Sequence, residues 1–164
     1  MNGGPIREPP LTRATAPLDP VWRAAYRAGF PLARATWRLR RPEHGGALVA
    51  IRTGADLLLV RASYRRAWNL PGGGIMAGET PEQAARRELV EEIGLATELK
   101  LRPARVIAGN WEGRRERVHF FELELPALPM LRLDNREIVA ARLVTAAELP
   151  SVPLTGPVAA YLRG

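Results

Sequence analysis

The segment from Thr80 to Gly94 carries both of its own boundaries. Thr80 is placed to cap a helix, Pro81 suits the first helical position, and Gln83 completes a Thr-x-x-Gln capping box, while Gly94 suits the left-handed position that closes the helix. A helix over Pro81 to about Ile93 is therefore predicted. Within it Glu88, Glu91 and Glu92 stand at i, i+3 and i+4, which places three carboxylates within an arc of about 100°. Leu89 and Ile93 fall on a different side, facing the core, and the small Ala84 and Ala85 leave the acidic side unobstructed. Crowded carboxylates repel one another, and a hard divalent cation that prefers oxygen ligands removes the conflict. Taken by themselves, the three glutamates suit an ordinary acidic, solvated face equally well.

Composition narrows what such a face can hold. The chain has no cysteine and only two histidines, His44 and His119, so thiolate sites are excluded and any metal must be held mainly by carboxylates. Its 164 residues, 46% of them apolar, are enough for one domain with a real core. No apolar run reaches the roughly 20 residues of a membrane span, and residues 1–20 hold no signal-like hydrophobic stretch, so a cytoplasmic location is expected. The formal charge is +7, and eight arginines before residue 46 supply most of it. Basic segments attract nucleic acid, but Lys100 is the only lysine, and an arginine-biased composition explains the charge more simply than a polyanion partner.

The remaining pattern is that of an α+β domain. Residues 1–18 are rich in Pro, Gly and Thr and read as a flexible leader. From Asp19, with Pro20 at a first-turn position, Trp22, Tyr26, Phe30, Ala33 and Trp37 recur at spacings of three or four, which predicts an amphipathic helix. Pro31 predicts a bend or break in it. Packing on the domain's own sheet is the simplest use of that aromatic stripe; a homodimer contact or a membrane surface is left open. Residues through Gly45 read as a linker, so the chain divides into a leader (1–18), a helix and linker (19–45) and the main domain (46–164). In that domain Ala47–Ile51 and Leu57–Val60 predict a hairpin of buried strands around Thr53–Asp56. After the central helix come an interrupted strand over 99–108 with Pro103 inside it, a turn at Trp111–Arg114, a strand over Arg117–Leu125, another over Glu137–Val144, and short helical pieces at 146–149 and 156–162. Helices packed on a mixed sheet follow from that order.

Gly73, five residues, Glu79, seven residues, Arg87-Glu88-Leu89, any residue, Glu91-Glu92, any residue, then Gly94-Leu95 fills every defined position of the Nudix box. The segment thus resembles the Nudix hydrolases, and a looser likeness extends from about Gly46 to Leu162. The resemblance implies an α/β/α sandwich with a mixed sheet that cleaves a phosphoanhydride bond in a nucleoside diphosphate linked to another group. It implies that Glu88, Glu91 and Glu92 hold Mg2+, or Mn2+, and that Glu79 and Arg87 pair to brace the loop against the helix, with Gly94 as structural support. Gly73 and Gly74 would let backbone approach phosphate oxygens.

A carboxylate must take the proton from the attacking water, and relatives draw it from different places. Glu88, Glu122, Glu124 and Glu137 are therefore all candidates for the base, with Glu88, Glu92 and Glu137 taken as the catalytic set. Trp111 offers a surface for a base, and Arg61, Arg65 and Arg66 offer phosphate contacts; a turn tryptophan covering the core edge and solvated arginines are the plain alternatives. A nucleotide-like small molecule is the expected partner. The rival reading is a catalytically inactive Nudix-fold binding or regulatory protein, against which the complete box speaks; the isomerases of this fold rely on a cysteine, which this chain lacks.

Overall fold

The computed structural model describes residues 7–13, 16–40, 43–96 and 98–164, and the side chains of 33–40 and 43–44 lie outside that description. In chain order the elements are β1 (Leu11–Arg13), α1 (Asp19–Arg40), β2 (Glu43–Thr53), β3 (Asp56–Ala62), β4 (Gly72–Gly74), α2 (Pro81–Ile93), β5 (Arg102–Trp111), β6 (Arg114–Glu124), β7 (Leu131–Leu133), β8 (Ile138–Thr145) and α3 (Gly156–Leu162). The main sheet runs β5-β6-β2-β3-β8, with β4 added to β2. It is mixed: β2 lies parallel to β6 and antiparallel to β3 and β4.

The central strand explains the layering. Side chains alternate across a sheet, and β2 sends Ala47, Val49 and Ile51 to one face and Leu48 and Ala50 to the other. The first set joins Leu58, Val60, Leu89, Ile93, Phe121 and Leu123 under α2. The second joins Leu57, Leu59, Phe120, Val144, Val158 and Tyr161 under α3. A strand covered on both faces must read as a continuous apolar run, as Ala47–Ile51 does. Helix, sheet and helix therefore form the expected α/β/α sandwich.

Partway along its length β2 changes partners. Near the hairpin it pairs with β3 through Arg52 opposite Leu57 and Thr53 opposite Asp56, whereas Gly46, Ala47 and Leu48 face Gly74, Gly73 and Gly72 of β4. The segment leading into β4 is wedged between the two strands. Asn69 exchanges two backbone hydrogen bonds with Val60 at 2.8 and 2.9 Å, and the Val49 amide donates to the Pro71 carbonyl at 2.9 Å. Gly72 has φ +131°, and a methyl group there would fall 2.2 Å from the Ala47 carbonyl oxygen. Only glycine fits that approach.

Helix α2 is bounded as its sequence dictates. The Thr80 side chain accepts from the Gln83 amide, Gln83 reciprocates to the Thr80 amide, and Gly94 closes the helix at φ 69° while its amide bonds back to the last turn. Such an N-cap contributes about 0.5–2 kcal/mol. Ala84 and Ala85, expected beside the acids on an open face, are instead fully buried with Leu89 and Ile93. The small side chains let the helix approach the sheet closely.

Three expectations need correction. Helix α1 is continuous from Asp19 to Arg40 and passes through Pro31 without a break. Tertiary contacts offset the missing amide there: Arg23 Nε donates to the Asn135 carbonyl at 2.8 Å, Arg27 Nε donates to the Ser63 carbonyl at 3.1 Å, and Phe30 packs on Tyr64. The aromatic stripe is only partly covered, since Trp22 stays 48% exposed; the side chains of Ala33 and Trp37 lie outside the described residues. Strand β2 already begins at Glu43, inside the expected linker.

The third correction concerns the leader. Part of it is seated on the domain: β1 pairs in parallel with β7, and Arg7 grips Asp56 through two hydrogen bonds of 2.7 and 2.9 Å. Residues 1–6 lie outside the described residues. Farther along, β5 takes up Pro103 through a register shift between Pro103 and Arg105, while Leu99–Leu101 stay outside the strand. No helix among the described residues is long and apolar enough to cross a membrane.

Candidate active site

Where β4 separates from β3, a cavity of about 330 Å3 opens beside the N-terminal half of β2. Its floor includes Gly72, Gly73 and Gly74, and Glu88, Glu92 and Glu137 reach it from α2 and from the residue before β8. The glycine floor is shaped to the acids. A methyl group on Gly73 would stand 2.5 Å from Oε1 of Glu88.

Each acid is set by its surroundings. Glu92 is 8% exposed, and its Oε2 accepts a 2.9 Å hydrogen bond from the Gly72 amide. Burial pushes its carboxyl well above the ordinary carboxylate range, and the charges of Glu88, Glu137 and Asp134 add to the shift against the opposing Gly72 hydrogen bond. Glu88 is raised too, chiefly by burial and secondarily by Glu91 and Glu137, although Arg87 opposes the shift. Glu137 receives a 2.5 Å hydrogen bond from the Tyr64 hydroxyl. Its backbone is fixed as well: Asp134 accepts from the amides of Glu137 and Ile138 at 2.9 and 2.8 Å, and the Ser63 amide donates to the Glu137 carbonyl at 2.7 Å.

The brace between loop and helix is built around Arg87. Its Nε donates to Glu79 Oε1 at 2.7 Å, and its Nη2 reaches both Glu79 Oε2 at 3.1 Å and the Gly74 carbonyl at 2.9 Å. The remaining nitrogen donates to Glu88 at 2.8 Å and Glu91 at 3.2 Å. Glu79 in turn accepts from the Met76 amide at 2.9 Å, and the Arg87 hydrogen bonds hold its carboxyl below the usual range. One planar guanidinium thus ties the glycine strand, the loop and two box acids together.

Not all candidates meet in the cavity. Glu91 is 58% exposed and stands outside it, paired with Arg87. Arg61 lies over the Trp68 ring at 5.1 Å, and Trp111 packs against Gly109 and Gly156 at the edge of the core under α3; neither lines the cavity. Glu122 accepts from the Tyr161 hydroxyl at 2.8 Å, and Glu124 from Arg102 at 3.1 Å, on a part of β6 away from the site. Of the upstream arginines, Arg65 lines the cavity.

Phe30, Tyr64, Arg114 and Glu116 are among the further residues that line the cavity, and no motif marks them as site residues. Arg114 and Glu116 form a 2.5 Å ion pair with side chains 14% and 10% exposed, and burial raises the Glu116 carboxyl. Their spacing of two along β6 is a signal that they share a face, but nothing local says which face is the site.

Among the described residues no three His, Asp or Glu side chains already stand in a metal-binding geometry. The donor set nevertheless fits a hard divalent cation. Glu88 and Glu92 bring carboxylate oxygens to one cavity, and a positive charge there would offset the burial and the like charges that raise both of them.

With that geometry in hand, comparison with known proteins gives the class. The sequence model of the NUDIX domain matches residues 42–162, and the chain belongs to this family. An RNA pyrophosphohydrolase of Psychromonas ingrahamii is 43% identical over 58 residues, covering 35% of this chain and 31% of that protein. One of Yersinia enterocolitica is 41% identical over 68 residues, covering 40% and 36%. The match thus spans about a third of the length of these curated relatives. Among solved structures, a MutT NUDIX hydrolase from Burkholderia pseudomallei superposes with TM-score 0.65 at 23% identity, over 74% of this chain and 97% of that one. A MutT protein from Methanosarcina mazei gives 0.61 at 20% identity, over 70% and 86%. These two likenesses speak to the fold.

Proposed function

We propose that this chain is a pyrophosphohydrolase that cleaves a phosphoanhydride bond in a nucleotide-like substrate with Mg2+ or Mn2+. The observation that carries the reading is the meeting of Glu88, Glu92 and Glu137 over the Gly72–Gly74 floor in one cavity. Membership of the NUDIX family and the pyrophosphohydrolase names of the partial relatives support it. Glu88 and Glu92 are the residues to hold the cation, with Glu91 reaching it through water. When bound, such a cation neutralises phosphate oxygens and acidifies water.

The chain's own residues do the rest. Arg87 and Glu79 fix the glycine strand relative to α2, so that the backbone facing the diphosphate is rigid. Glu137 is the proton acceptor for the attacking water: Tyr64 donates to one of its oxygens, which orients the carboxylate and leaves the other oxygen for the water proton. Removal of that proton raises the nucleophilicity of the water as it attacks phosphorus, and the anhydride oxygen leaves with the departing phosphate.

The test is turnover by the purified full chain on nucleoside triphosphates, nucleotide sugars, ADP-ribose and 5′-triphosphorylated RNA, with Mg2+ and then with chelator. Cleavage at an anhydride bond that chelator abolishes and added Mg2+ restores is expected. Cleavage indifferent to chelator, or none on any diphosphate, overturns the proposal.

A further inference from the structure

We infer that helix α1 supplies a specificity-determining wall of the cavity, on which Phe30 and Arg65 receive the flat face of a heteroaromatic base. The inference rests on reading the cavity as a phosphoanhydride site. The NUDIX match begins at residue 42, after α1 has ended, yet Phe30 lines the same cavity as Glu88, Glu92 and Glu137. An element outside the matched segment therefore contributes a side chain to the lining of the site.

The wall is held in place from several directions. Arg23 bonds to the Asn135 carbonyl at 2.8 Å, Arg136 to Asp19 at 3.2 Å and Arg27 to the Ser63 carbonyl at 3.1 Å. These contacts fall on the loops that carry Glu137 and Tyr64, so the helix is registered to the catalytic residues and not merely to the outer surface. The Phe30 ring stands 4.7 Å from the Tyr64 ring, and the Arg65 guanidinium lies 4.7 Å from the Phe30 centroid. Glu112, in the turn between β5 and β6, accepts from Arg65 Nη2 at 2.9 Å. Nε of Arg65 is buried with no hydrogen-bond partner among the described residues.

Aromatic rings and guanidinium planes share one kind of ligand, a flat conjugated ring, because both present a polarisable face of fixed orientation. The cavity is also lined by the Arg114–Glu116 pair, which sets a donor beside an acceptor, the pattern a base edge presents. Glu88 and Glu92 lie with the glycine floor and the aromatic face lies with α1, so one elongated ligand with a charged phosphate end and a flat apolar end meets both. A nucleotide has that form.

The test uses the full chain and the variants Phe30→Leu, which keeps apolar volume and removes the ring, and Arg65→Met, which keeps the stem and removes the guanidinium. Thermal melting establishes that each is folded. Affinities for adenosine and guanosine 5′-monophosphates are measured by calorimetry, and KM is compared between nucleoside triphosphates and inorganic tripolyphosphate, which has no base. Phe30→Leu should weaken monophosphate binding and raise the triphosphate KM roughly tenfold, as loss of one stacking partner does, with a clearly smaller effect on tripolyphosphate.

Equal losses on nucleotide and tripolyphosphate, or no loss on either, overturn the wall. If Phe30→Leu does not fold, Arg65→Met carries the same comparison with the same refuting outcomes. Monophosphate binding needs no turnover. An inactive wild-type protein whose nucleotide affinity still depends on Phe30 therefore sinks the hydrolase reading and keeps the wall, whereas an active protein without the differential sinks the wall alone.

Discussion

Gly73→Ala tests the link between the glycine floor and the box acids. The added methyl would lie 2.5 Å from Oε1 and 2.7 Å from Cδ of Glu88, below the 3.0 Å that such contacts reach in practice. The obstacle is the end of a side chain, so the carboxylate yields first. It must retreat by at least the 0.5 Å separating the 2.5 Å contact from the 3.0 Å limit, about the tolerance within which a catalytic group must be held. Misplacement of 1 Å costs on the order of a hundredfold in rate, so kcat is expected to fall by roughly ten- to a hundredfold. Stability should change little, because Gly73 does not occupy the left-handed region and β4 keeps its backbone pairing with β2; a shift in Tm within about 2 °C corresponds to less than about 1 kcal/mol. Steady-state kinetics at saturating Mg2+ and a melting curve on the same preparation check both halves. Wild-type kcat in a folded Gly73→Ala protein would refute the claim that Glu88 acts from this position.

Glu92→Gln should retain the fold, because the amide oxygen can still accept from Gly72, while kcat falls roughly hundredfold or more; unchanged turnover removes Glu92 from the metal site. The same variant has a pH signature in chelator. A carboxyl raised above its ordinary value of 4.5 contributes its stability in the protonated form, fully present below that value and lost as pH climbs through the raised one. Wild-type Tm should therefore fall relative to Glu92→Gln as pH rises from about 5 to 8, and parallel curves would contradict the assignment. Arg87→Lys keeps the charge but cannot reproduce the fork to Glu79, Gly74 and Glu88. A loss of about 1.5–3 kcal/mol in urea unfolding is expected, and an unmoved midpoint would show the brace to be dispensable.

Much of this was readable from local pattern. The limits of α2 and the apolar runs of β2 and β3 rest on contacts between near neighbours or on simple periodicity, and the pairing of Glu79 with Arg87 follows from the resemblance to the family's box. What was not readable depends on how the helix is turned against the sheet. Glu88, Glu91 and Glu92 span an arc of about 100°, wide enough to run from buried to solvated. Docking on Ala85 and Leu89 puts Glu92 at the buried edge, leaves Glu88 at the cavity and carries Glu91 out to solvent. Glu137 and Tyr64 meet because β8 lies beside β3, a pairing between distant parts of the chain that no spacing announces. Pro31 misled for a related reason: its local penalty is real, and the contacts that offset it come from Ser63, Tyr64 and Asn135.

The parallel pairing of β2 with β6 bears on how the site comes into being. The register Val49 to Phe121 joins strands separated by the whole of the glycine floor, α2 and β5, so a long loop must close before this pairing returns any energy. Helix α2 can form early under its own caps, yet its acids acquire their neighbours only when that loop has closed. Catalytic competence during refolding or synthesis should thus trail helical content, arriving with the slow, non-local step of sheet assembly.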